Sequence, residues 1–452
     1  MAILPIDAGR YGTEEMMSIF EEQSKIDYQL EIEGTVALIQ GQIGIIPLNH
    51  GKNIYTVSKS KKITAKRIKQ LEVKNDHDTA ALVQALSEKC KTNAKPWTHY
   101  GLTSNDLVDT SNSMQMRDAL KIIQPKIAKL SIILANHADK YRLVPAVGRT
   151  HGQHASIISF GLKFANWASE MSTHIQRIEE LRKRVLLCKT LGVVGTGSLM
   201  GNKAVNVQNN VAKKLGLYPI DVATQLVPRE RYAEYTFELA LVGATLDKIA
   251  VEIRNLQRTE IGEVAENFKA GQMGSSAVPV KRNPIKSERI SSLSRLLQSQ
   301  VFVAFENIPL WHERDLSNSA NERFSIPMTS ILADEMLDTM IKVMTGLQIK
   351  KDKITKNLQI TKGQIFAEFV LDALLKKKVS RFVAYRDVQR VAFKAHKENK
   401  KFIDAIMQDK AISSKLTREE IKKIFTAKQH LGSSSKIIRN VCIKVKKTCR
   451  GI

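Results

Sequence analysis

Cysteine is scarce in this sequence. Four cysteines occur in 452 residues, and apart from the C-terminal pair they lie far apart, at Cys90, Cys188, Cys442 and Cys449. None of them has the spacing of a metal-binding or redox motif. This sparse usage excludes a disulfide-rich secreted scaffold and is typical of a reducing compartment, so we expect a cytoplasmic protein.

Long apolar stretches are also missing. Charged residues interrupt every apolar run well short of the roughly 20 residues that a transmembrane helix needs. The first residues, MAILPIDAGRYGTEEM, acquire acidic groups early and lack the basic region of a secretory signal peptide. The sequence therefore predicts neither a membrane span nor a secretion signal, and we expect no membrane partner.

Acidic and aromatic residues are few relative to the basic ones. The chain has 70 Lys and Arg against 45 Asp and Glu, a net charge of +25, and 6% aromatic residues. Nucleic-acid binding, attraction of a polyanionic substrate and adaptation to ionic strength all produce such a charge. The lysines are mostly dispersed at helix-surface spacings, and aromatic residues for base stacking are scarce. We therefore expect a solvated basic surface and no nucleic-acid partner, while the acid-free run of cations from Lys436 to Arg450 has no explanation in the sequence.

Proline is absent from long parts of the chain, and none follows Pro327. The proline-free segments 160–187 and 232–264 carry apolar residues at three- and four-residue steps, which is the period of a helix. Small residues in the second segment, Gly243 and Ala244 among them, would let a neighbouring helix approach closely. Alternating strand patterns are rare, so the sequence predicts an all-α fold.

The length of the predicted helices bears on assembly. A helix over 232–264 would have 33 residues and span roughly 50 Å. Rods of that length, apolar on more than one face, predict a bundle shared between chains and hence a homo-oligomer, although a long bundle within one chain gives the same pattern. We expect an N-terminal helical domain over 1–103, a central long-helix bundle over 104–355 and a C-terminal helical cap over 356–452.

The segment 271–289 breaks the helical pattern. Its glycines and serines free the backbone, and Pro279 and Pro284 stiffen the part that carries Lys281 and Asn283. An exposed basic loop has this composition, and so has a loop that closes over an anionic ligand. Composition alone leaves both interpretations open.

Two segments place polar groups ahead of amphipathic helices. Asn75 to Asp78 precede the run TAALVQALSEKC, and Thr103 and Ser104 precede the next helical pattern. Asp, Asn, Ser and Thr are natural helix N-caps, and the same groups at a helix start bind anionic ligands. Capping explains His77 less well, since this residue lies where the helix begins to turn inward.

Histidines and arginines mark two further segments. His151 and His154 in GRTHGQHA have the spacing of two metal ligands on one helix face, but no further ligands complete a site and the intervening glycine predicts a turn. A histidine acting as acid or base is the better interpretation, because its ordinary pKa lies near neutrality.

Arg314 and Arg323 in HERDLSNSANER suit phosphate or carboxylate groups, or a salt-bridged polar segment. The glycine-rich stretch Gly192–Ser198 lacks the strand and the Gly-Lys-Ser/Thr of a nucleotide-binding loop.

Together these segments resemble a known family. GSSAVPVKRNP is similar to the signature loop of the fumarase/aspartase superfamily, usually Gly-Ser-Ser-x-Met-Pro-x-Lys-x-Asn-Pro. Four further motifs, HDTAAL, LTSNDLVDT, GRTHGQHA and HERDLSNSANER, resemble its adenylosuccinate lyase branch and occur in the right order. RYGTEEM near the start and HLGSSSKII near the end also fit, so the likeness spans nearly the whole chain. Val278 replaces the usual Met, and Val280 stands where His or Tyr is common. The second departure removes a polar contact, which bears on loop dynamics and substrate preference rather than on the reaction class.

The resemblance implies a three-domain all-α lyase that eliminates fumarate from adenylosuccinate, giving AMP, and from SAICAR, giving AICAR. It implies that Ser275 is the general base and His151 the general acid. Lys281 would support the serine alkoxide, and His77 would support His151 or bind the phosphate side. Further positions match those that bind the nucleotide and succinyl groups in the family: Arg10, Tyr11, Asp78, Thr103, Ser104, Gln225, Asn283, Arg314, Ser319 and Arg323.

The family resembled needs no metal or cofactor and forms a homotetramer whose active sites combine three subunits, which agrees with the long helices predicted here. Two other classes stay open. One is another lyase of the superfamily, acting on argininosuccinate or on a small dicarboxylate; Arg314 and Arg323 beside Ser319 favour a phosphorylated substrate instead. The other is a nucleic-acid-binding or purely structural helical protein, suggested by the charge of +25. A basic scaffold alone gives no reason for Ser275 and His151.

Overall fold

Helices dominate the fold. The computed structural model describes residues 4–268, 271 and 274–452, so positions 272 and 273 of the predicted loop lie outside the described residues. The first α-helices along the chain are α1 (Glu14–Phe20), α2 (Glu22–Ile43), α3 (Leu48–Ser58), α4 (Ala65–Asn75), α5 (Asp78–Lys89), α6 (Ser104–Lys140), α7 (Gly161–Val185), α8 (Ala204–Leu215) and α9 (Glu230–Leu256). The later ones are α10 (Ile285–Glu306), α11 (Ser319–Thr345), α12 (Lys351–Asn357), α13 (Ala367–Lys376), α14 (Arg381–Lys397), α15 (Phe402–Gln408), α16 (Lys410–Ser413), α17 (Arg418–Ile424) and α18 (Ser434–Thr448).

The strands are short and pair two by two. An antiparallel hairpin joins β1 (Pro145–Thr150) to β2 (Gln153–Ser159). Two-residue strands make the other pairs: β3 (Leu187–Cys188) runs parallel to β4 (Tyr218–Pro219), and β5 (Val264–Ala265) runs antiparallel to β6 (Gln348–Ile349). Short 3-10 helices occupy Thr92–Trp97, Ser198–Lys203, Gln364–Phe366 and Ala427–His430. The prediction of an all-α fold is confirmed.

The longest predicted helix is shorter than expected. Instead of running over 232–264, α9 ends at Leu256, because the chain turns at Gly262, whose φ is 58°, and Val264 then pairs with Ile349. Ile261 and Val264 lie five and eight residues after Leu256, so they continue the helical spacing of apolar residues although the turn between Leu256 and Glu263 is mostly polar and exposed. Among the described elements the longest is α6, with 37 residues.

Two of the long helices contain a proline in their interior. Pro125 lies inside α6 and Pro327 lies inside α11. A proline removes one backbone hydrogen bond and clashes with the preceding turn, which costs about 3 kcal/mol. Around Pro125, the fully buried side chains of Ile123 and Ile127 show that the helix is held by packing on both sides of the interruption.

Contacts between residues divide the chain into two compact units. Unit 1 comprises Met1–Ile127, His174–Asp247 and Ile290–Thr339, and unit 2 comprises Ala128–Thr173, Lys248–Arg289 and Met340–Ile452. The boundaries fall within long helices, so neither unit is a contiguous stretch of chain. The domain limits proposed from the sequence, at 103 and 355, stay a prediction.

The core of unit 1 depends on a close helix approach at Gly243. A Cβ at this position would lie 2.7 Å from Leu297 Cδ2 of α10 and 3.6 Å from Met336 Cε of α11. The Ser294 hydroxyl of α10 also donates a hydrogen bond to the Gly243 carbonyl, at 3.2 Å. The prediction that small residues in α9 admit a neighbouring helix is therefore confirmed.

Unit 2 contains a separate apolar core built from α13 to α17. The buried side chains of Leu374, Val388, Phe402 and Ile406 belong to one cluster. Each such side chain contributes about 1.5–3 kcal/mol when it is removed from water. Across the described residues, no helix combines the length and the apolar character required to cross a membrane.

Candidate active site

A cavity of about 800 Å³ in unit 1 collects six of the predicted site residues. They are His77, Asp78, Ser104, Arg314, Ser319 and Arg323. Three of the six, Asp78, Ser104 and Ser319, are the first residues of α5, α6 and α11. The backbone N–H groups of a helix start lack internal partners, and the helix dipole is positive there. Three helix starts around one cavity therefore favour a negatively charged ligand.

His77 is the N-cap of α5. Its Nδ1 accepts a hydrogen bond from the Ala80 N–H, at 3.3 Å, and its backbone is extended, as a cap requires. The expectation that capping does not explain this histidine is thus wrong, since an imidazole nitrogen replaces the usual carboxylate or hydroxyl oxygen. When Nδ1 accepts, the neutral ring carries its proton on Nε2. The cap fixes the tautomer of a histidine that lines the cavity.

Asp78 and Arg323 form an ion pair on the cavity wall. Arg323 Nη2 lies 2.8 Å from Asp78 Oδ2, and the Thr79 N–H donates to Asp78 Oδ1 at 2.7 Å. Burial raises the pKa of Asp78, but the hydrogen bonds from Arg323 and from the Thr79 backbone outweigh it and leave the pKa below its ordinary value. Asp78 is therefore ionised at neutral pH and orients Arg323, whose other N–H groups are left for a ligand.

Arg314 has only neutral partners among the described residues. Its Nη1 donates to Ser104 Oγ at 3.4 Å and to the side-chain oxygen of Gln225. Its Nε is buried without a hydrogen bond. Gln225 is itself held by the Val193 carbonyl, which accepts from its amide at 2.9 Å. Burial lowers the pKa of Arg314, but a guanidinium stays charged, so this cation lacks a neutralising carboxylate.

Lys25 is a cavity residue that the sequence did not indicate. Its side chain is half-buried on the cavity wall, and the described part of the chain gives it neither a hydrogen bond nor an ion pair. Burial lowers its pKa, and the positive charge of Arg323 adds to this, while Asp78 and Glu22 act in the opposite direction. In the sequence EEQSKID nothing distinguishes Lys25 from a solvated lysine on a helix surface, which is why it was missed.

Arg229 also lines the cavity, but carboxylates of the protein occupy its guanidinium group. Its guanidinium bonds Asp109 at 2.9 and 3.0 Å on one side and Glu322 at 3.0 and 3.2 Å on the other. Burial lowers the pKa of Arg229, but the two carboxylates raise it above its ordinary value. Removing one partner from such a buried pair typically costs 3–5 kcal/mol, so Arg229 is a structural brace.

Thr103 lies next to the same cavity, at the start of α6. Its N–H donates to Asp106 Oδ2 at 2.8 Å, and Asp106 in turn bonds Lys189 Nζ at 2.6 Å and the Gly192 N–H at 3.0 Å. The glycine-rich stretch that begins at Gly192 therefore donates to a carboxylate of the protein. Thr103 lines an adjoining cavity of about 620 Å³, which shares His77 and Ser104 with the first.

Arg10 and Tyr11 do not line either of these cavities in the described structure. Arg10 is exposed, and its guanidinium carbon lies 5.8 Å from the centre of the Tyr11 ring. The next residues are anchored, since the Thr13 hydroxyl donates to Asp334 Oδ2 at 2.6 Å. The segment is thus anchored at Thr13 and carries an exposed arginine beside a half-buried tyrosine.

The other predicted residues belong to unit 2, where Ser275 lies on a loop that folds back on itself. Ser275 Oγ accepts hydrogen bonds from the N–H groups of Ala277, at 3.3 Å, and Val278, at 3.1 Å. Donors aimed at a hydroxyl oxygen favour its alkoxide form. The two departures from the signature motif are both exposed, Val278 by 47% and Val280 by 85%.

Asn283 closes this loop. Its amide donates to the Gly274 carbonyl at 3.0 Å, and a Cβ on Gly274 would lie 2.0 Å from the Lys281 carbonyl oxygen. Glycine is therefore required where the two arms of the loop meet. The Lys281 side chain is exposed, and no hydrogen bond between it and Ser275 occurs in the described part of the loop.

His151 occupies the tight turn of the β1–β2 hairpin. His151 and Gly152 have φ values of 53° and 75°, the left-handed pair that a two-residue hairpin turn needs. The turn was predicted, but the two histidines lie on a hairpin rather than on one helix face, so the spacing argument for a metal pair fails. Within the described residues, no group of three or more His, Cys, Asp or Glu side chains is arranged to hold a metal ion.

His154 follows on β2 and differs from His151 in its surroundings. Its Nδ1 is buried without a hydrogen-bond partner. Burial and the neighbouring Arg149 lower the pKa of His154, which keeps its ring neutral, whereas His151 is exposed. No hydrogen bond joins His151 to Ser275 among the residues that the structure describes.

Two family models match the chain. The model described as Lyase covers residues 9–298, and the model described as Adenylosuccinate lyase C-terminus covers residues 363–441. Adenylosuccinate lyase of Methanocaldococcus jannaschii is 39% identical over 442 residues, which cover 98% of this chain and 96% of that protein. Adenylosuccinate lyase of Pyrococcus horikoshii is 41% identical over 441 residues, with 98% and 97% covered.

Solved structures show the same fold. The 3-carboxy-cis,cis-muconate lactonizing enzyme from Pseudomonas putida has a TM-score of 0.89 and 25% identity, with 98% of this chain and 100% of that chain covered. The fumarate lyase from Mesorhizobium sp. BNC1 has a TM-score of 0.89 and 28% identity, with 95% and 98% covered. The all-α lyase fold expected from the motifs is confirmed.

Proposed function

Since the chain belongs to the adenylosuccinate lyase family and is a lyase, we propose that it cleaves adenylosuccinate to AMP and fumarate, and SAICAR to AICAR and fumarate, in purine nucleotide biosynthesis. The observation that carries this proposal is the cavity where three helix starts meet Arg314, Arg323 and Lys25. A phosphate or carboxylate group is the ligand that such a cluster of donors and unneutralised cations suits.

The cavity residues divide the work of binding. Arg314 and Arg323 present guanidinium N–H groups to the phosphate, and the hydroxyls of Thr103, Ser104 and Ser319 supply further donors. Gln225 holds Arg314 in place, while Asp78 holds Arg323. Arg10, exposed on its anchored segment, and the half-buried Tyr11 contribute to binding of the nucleotide.

The reaction needs a base, an acid and a stabilised carboxylate. A proton leaves the carbon next to a carboxylate, so negative charge develops on that carboxylate and must be held by fixed donors. We assign the base to Ser275, whose alkoxide is favoured by the two N–H groups that donate to its Oγ. Lys281 adds a positive charge, and Asn283 holds the succinyl carboxylate.

The leaving nitrogen needs a proton, which we assign to His151. An acid placed within hydrogen-bond reach of the reacting atom typically accelerates such a step about 10²–10⁴-fold. His77, with its proton on Nε2, supports His151 or binds the phosphate side. Every step uses side chains of the protein, so the proposal involves no metal and no cofactor.

We further propose a homotetramer in the cytoplasm with active sites shared between subunits. Large apolar side chains of unit 1 are exposed on three long helices: Phe237 on α9, Phe302 and Phe305 on α10, and Phe324 on α11. Exposed aromatic rows on long helices are typical of subunit interfaces. Burial of these residues between chains agrees with the homo-oligomer expected from the helix lengths.

The test is fumarate release from purified protein. Adenylosuccinate and SAICAR should each yield fumarate, followed by its absorbance or by coupling to fumarase. Argininosuccinate serves as the control, because it carries the same succinyl carboxylates without a nucleotide phosphate. Cleavage of argininosuccinate with no action on adenylosuccinate would overturn the proposal.

A further inference from the structure

Helix α14 (Arg381–Lys397) presents aromatic side chains to solvent. Phe382 is 87% exposed, Tyr385 is 55% exposed and Phe393 is 67% exposed. At 100° per residue, Phe382 and Phe393 point in nearly the same direction, and Tyr385 lies about 60° from Phe382 and about 80° from Phe393. The opposite side of the helix, with Ala384 and Val388, packs into the core of α13 to α17. The aromatic rings therefore lie on the side of α14 that faces away from the core of α13 to α17.

Cations flank these rings. Arg386 and Lys397 lie within about 60° of Phe382 on the helix, and neither forms a salt bridge with any described residue. The acidic residue inside α14, Asp387, is turned to Arg390, at 3.5 Å. The exposed face of α14 is thus both aromatic and positively charged. We call it the aromatic–basic face and define it by Phe382, Tyr385, Arg386, Phe393 and Lys397.

The surrounding chain concentrates the positive charge. Residues 356–452 contain 24 Lys and Arg against 8 Asp and Glu, a net charge of +16 out of the +25 of the whole chain. From 421 onward there are nine Lys and Arg and no carboxylate. Those of α18, such as Lys436, Arg439 and Lys444, are exposed, and no salt bridge to them is present in the described structure. About a fifth of the chain carries most of its excess charge.

The charge and the rings together identify the chemistry of the partner. Elimination of fumarate uses none of these residues. A solvated helix face would carry polar groups at its apex, and an anion-binding surface alone needs no rings. Phosphates bind cations through counterion release, and unpaired bases stack on exposed aromatic rings. We propose that the aromatic–basic face of α14 binds single-stranded nucleic acid, with the basic C-terminal segment supplying the attractive field.

The position of the aromatic residues is more informative for nucleic-acid binding than their number. Aromatic residues are scarce over the whole chain, at 6%, and this argued against nucleic acid. Stacking depends on where the rings are rather than on how many there are. Three exposed rings on one cationic helix suffice for a short stretch of bases, since Phe382 and Phe393 are separated by roughly 16 Å along the helix.

The experiment measures binding of a fluorescent oligouridine of about 12 nucleotides, a length that fits common single-strand sites, by anisotropy. Salt is varied from about 50 to about 200 mM, and binding should weaken steeply over this range. The triple variant Phe382→Ser, Tyr385→Ser, Phe393→Ser should bind about tenfold or more weakly. The double variant Arg386→Gln, Lys397→Gln should bind more weakly and show a smaller salt dependence.

A matched control removes two exposed lysines of unit 1, Lys52→Gln and Lys66→Gln. It should bind within about twofold of the wild type, because neither lysine belongs to the aromatic–basic face and exposed charges outside a contact are screened. All variants should keep the wild-type rate of fumarate release and the wild-type size. Each of four outcomes overturns the proposal: no binding at low salt, equal losses in the control, full competition by polyglutamate, or unaltered affinity in the triple variant. A change of size in the triple variant would instead identify the face as a subunit contact and overturn it too.

Discussion

Cations around the cavity differ in whether a carboxylate neutralises them. Arg229 is bound on both sides by Asp109 and Glu322, and Arg323 is bound by Asp78. Arg314 and Lys25 have no carboxylate partner among the described residues. Unneutralised cations in a half-buried place are unfavourable in the empty protein, and an anionic ligand relieves that cost. We therefore expect Arg314 and Lys25, which have no carboxylate partner among the described residues, to contribute strongly to binding of an anionic ligand.

The first prediction concerns Lys25. Lys25→Met should raise KM for adenylosuccinate about tenfold to hundredfold, the loss expected for one hydrogen bond to a charged group, with little change in kcat. The same substitution at the exposed Lys52 serves as the control and should leave both constants near the wild type. Steady-state kinetics of the two variants measure the difference. A Lys25→Met enzyme with unchanged KM would remove Lys25 from the site.

The second prediction concerns pH and stability. His99 Nδ1 lies 2.5 Å from Oε1 of the buried Glu33. Burial lowers the pKa of His99, but the attraction of Glu33 and the hydrogen bond to it outweigh burial and raise the pKa above 6.5. The pair therefore adds stability that is fully present below pH 6.5 and is lost as the pH rises through the raised pKa.

His99→Gln should accordingly lower the free energy of unfolding at about pH 6 by about 1–3 kcal/mol and flatten its dependence on pH. Denaturant unfolding between about pH 6 and pH 9, a range that spans the titration of a histidine with a raised pKa, measures both effects. Parallel pH curves for the wild type and the variant would show that the pair does not titrate in this window.

At the scale of elements, the β1–β2 hairpin and the Ser275 loop each have a backbone geometry that a helix cannot provide. The hairpin places a histidine at a left-handed backbone position, which costs a non-glycine residue about 1–3 kcal/mol. The loop needs glycine where Gly274 meets the Lys281 carbonyl. The backbone strain at His151 and the close backbone contact at Gly274 do not stabilise the fold. We therefore expect such features where the chemistry requires a particular side chain.

The third prediction separates chemistry from stability at the hairpin. His151→Gly should leave the free energy of unfolding unchanged or raise it by up to about 1 kcal/mol, because glycine adopts a positive φ without strain. Fumarate release should fall about 10²–10⁴-fold, the usual contribution of a positioned acid. The β-branched variant His151→Val should lose stability as well. Near-normal activity in the His151→Gly enzyme would exclude His151 as the acid.

At the scale of the whole molecule, the sequence predicted the features that are encoded in motifs or in the helical spacing of apolar residues. The order of five motifs gave the family, and the small residues of α9 gave a helix contact that the structure contains at Gly243. The six predicted residues that line the cavity come from three motifs, at 77–78, 104 and 314–323, that are far apart in sequence. The resemblance to the family grouped these residues. Helical periodicity could not, because it carries no information on which distant segments contact each other in the fold.

The misses have physical reasons. The helical period ran past Leu256 because Ile261 and Val264 continue the apolar spacing after the helix has ended. Lys25 was missed because burial against distant segments is a tertiary property. The capping role of His77 was missed because an imidazole nitrogen rarely fills that role.

The fourth prediction concerns sharing of sites. If Ser275 and His151 of one active site come from different subunits, Ser275→Ala and His151→Ala enzymes should regain activity when their subunits are mixed and exchanged, since some mixed sites then contain both wild-type residues. Fumarate release should rise well above the sum of the two separate enzymes. No gain after exchange has been verified by mass would place both residues in sites formed by one chain.

The most direct test of the proposed reaction is fumarate release from adenylosuccinate by the wild type and by Ser275→Ala. The wild type should turn over the substrate, and the variant should bind it with nearly the wild-type Kd while releasing fumarate at least about 10²-fold more slowly, as expected when a positioned base is lost. Turnover by Ser275→Ala at the wild-type rate, or no turnover by the wild type, would contradict the account.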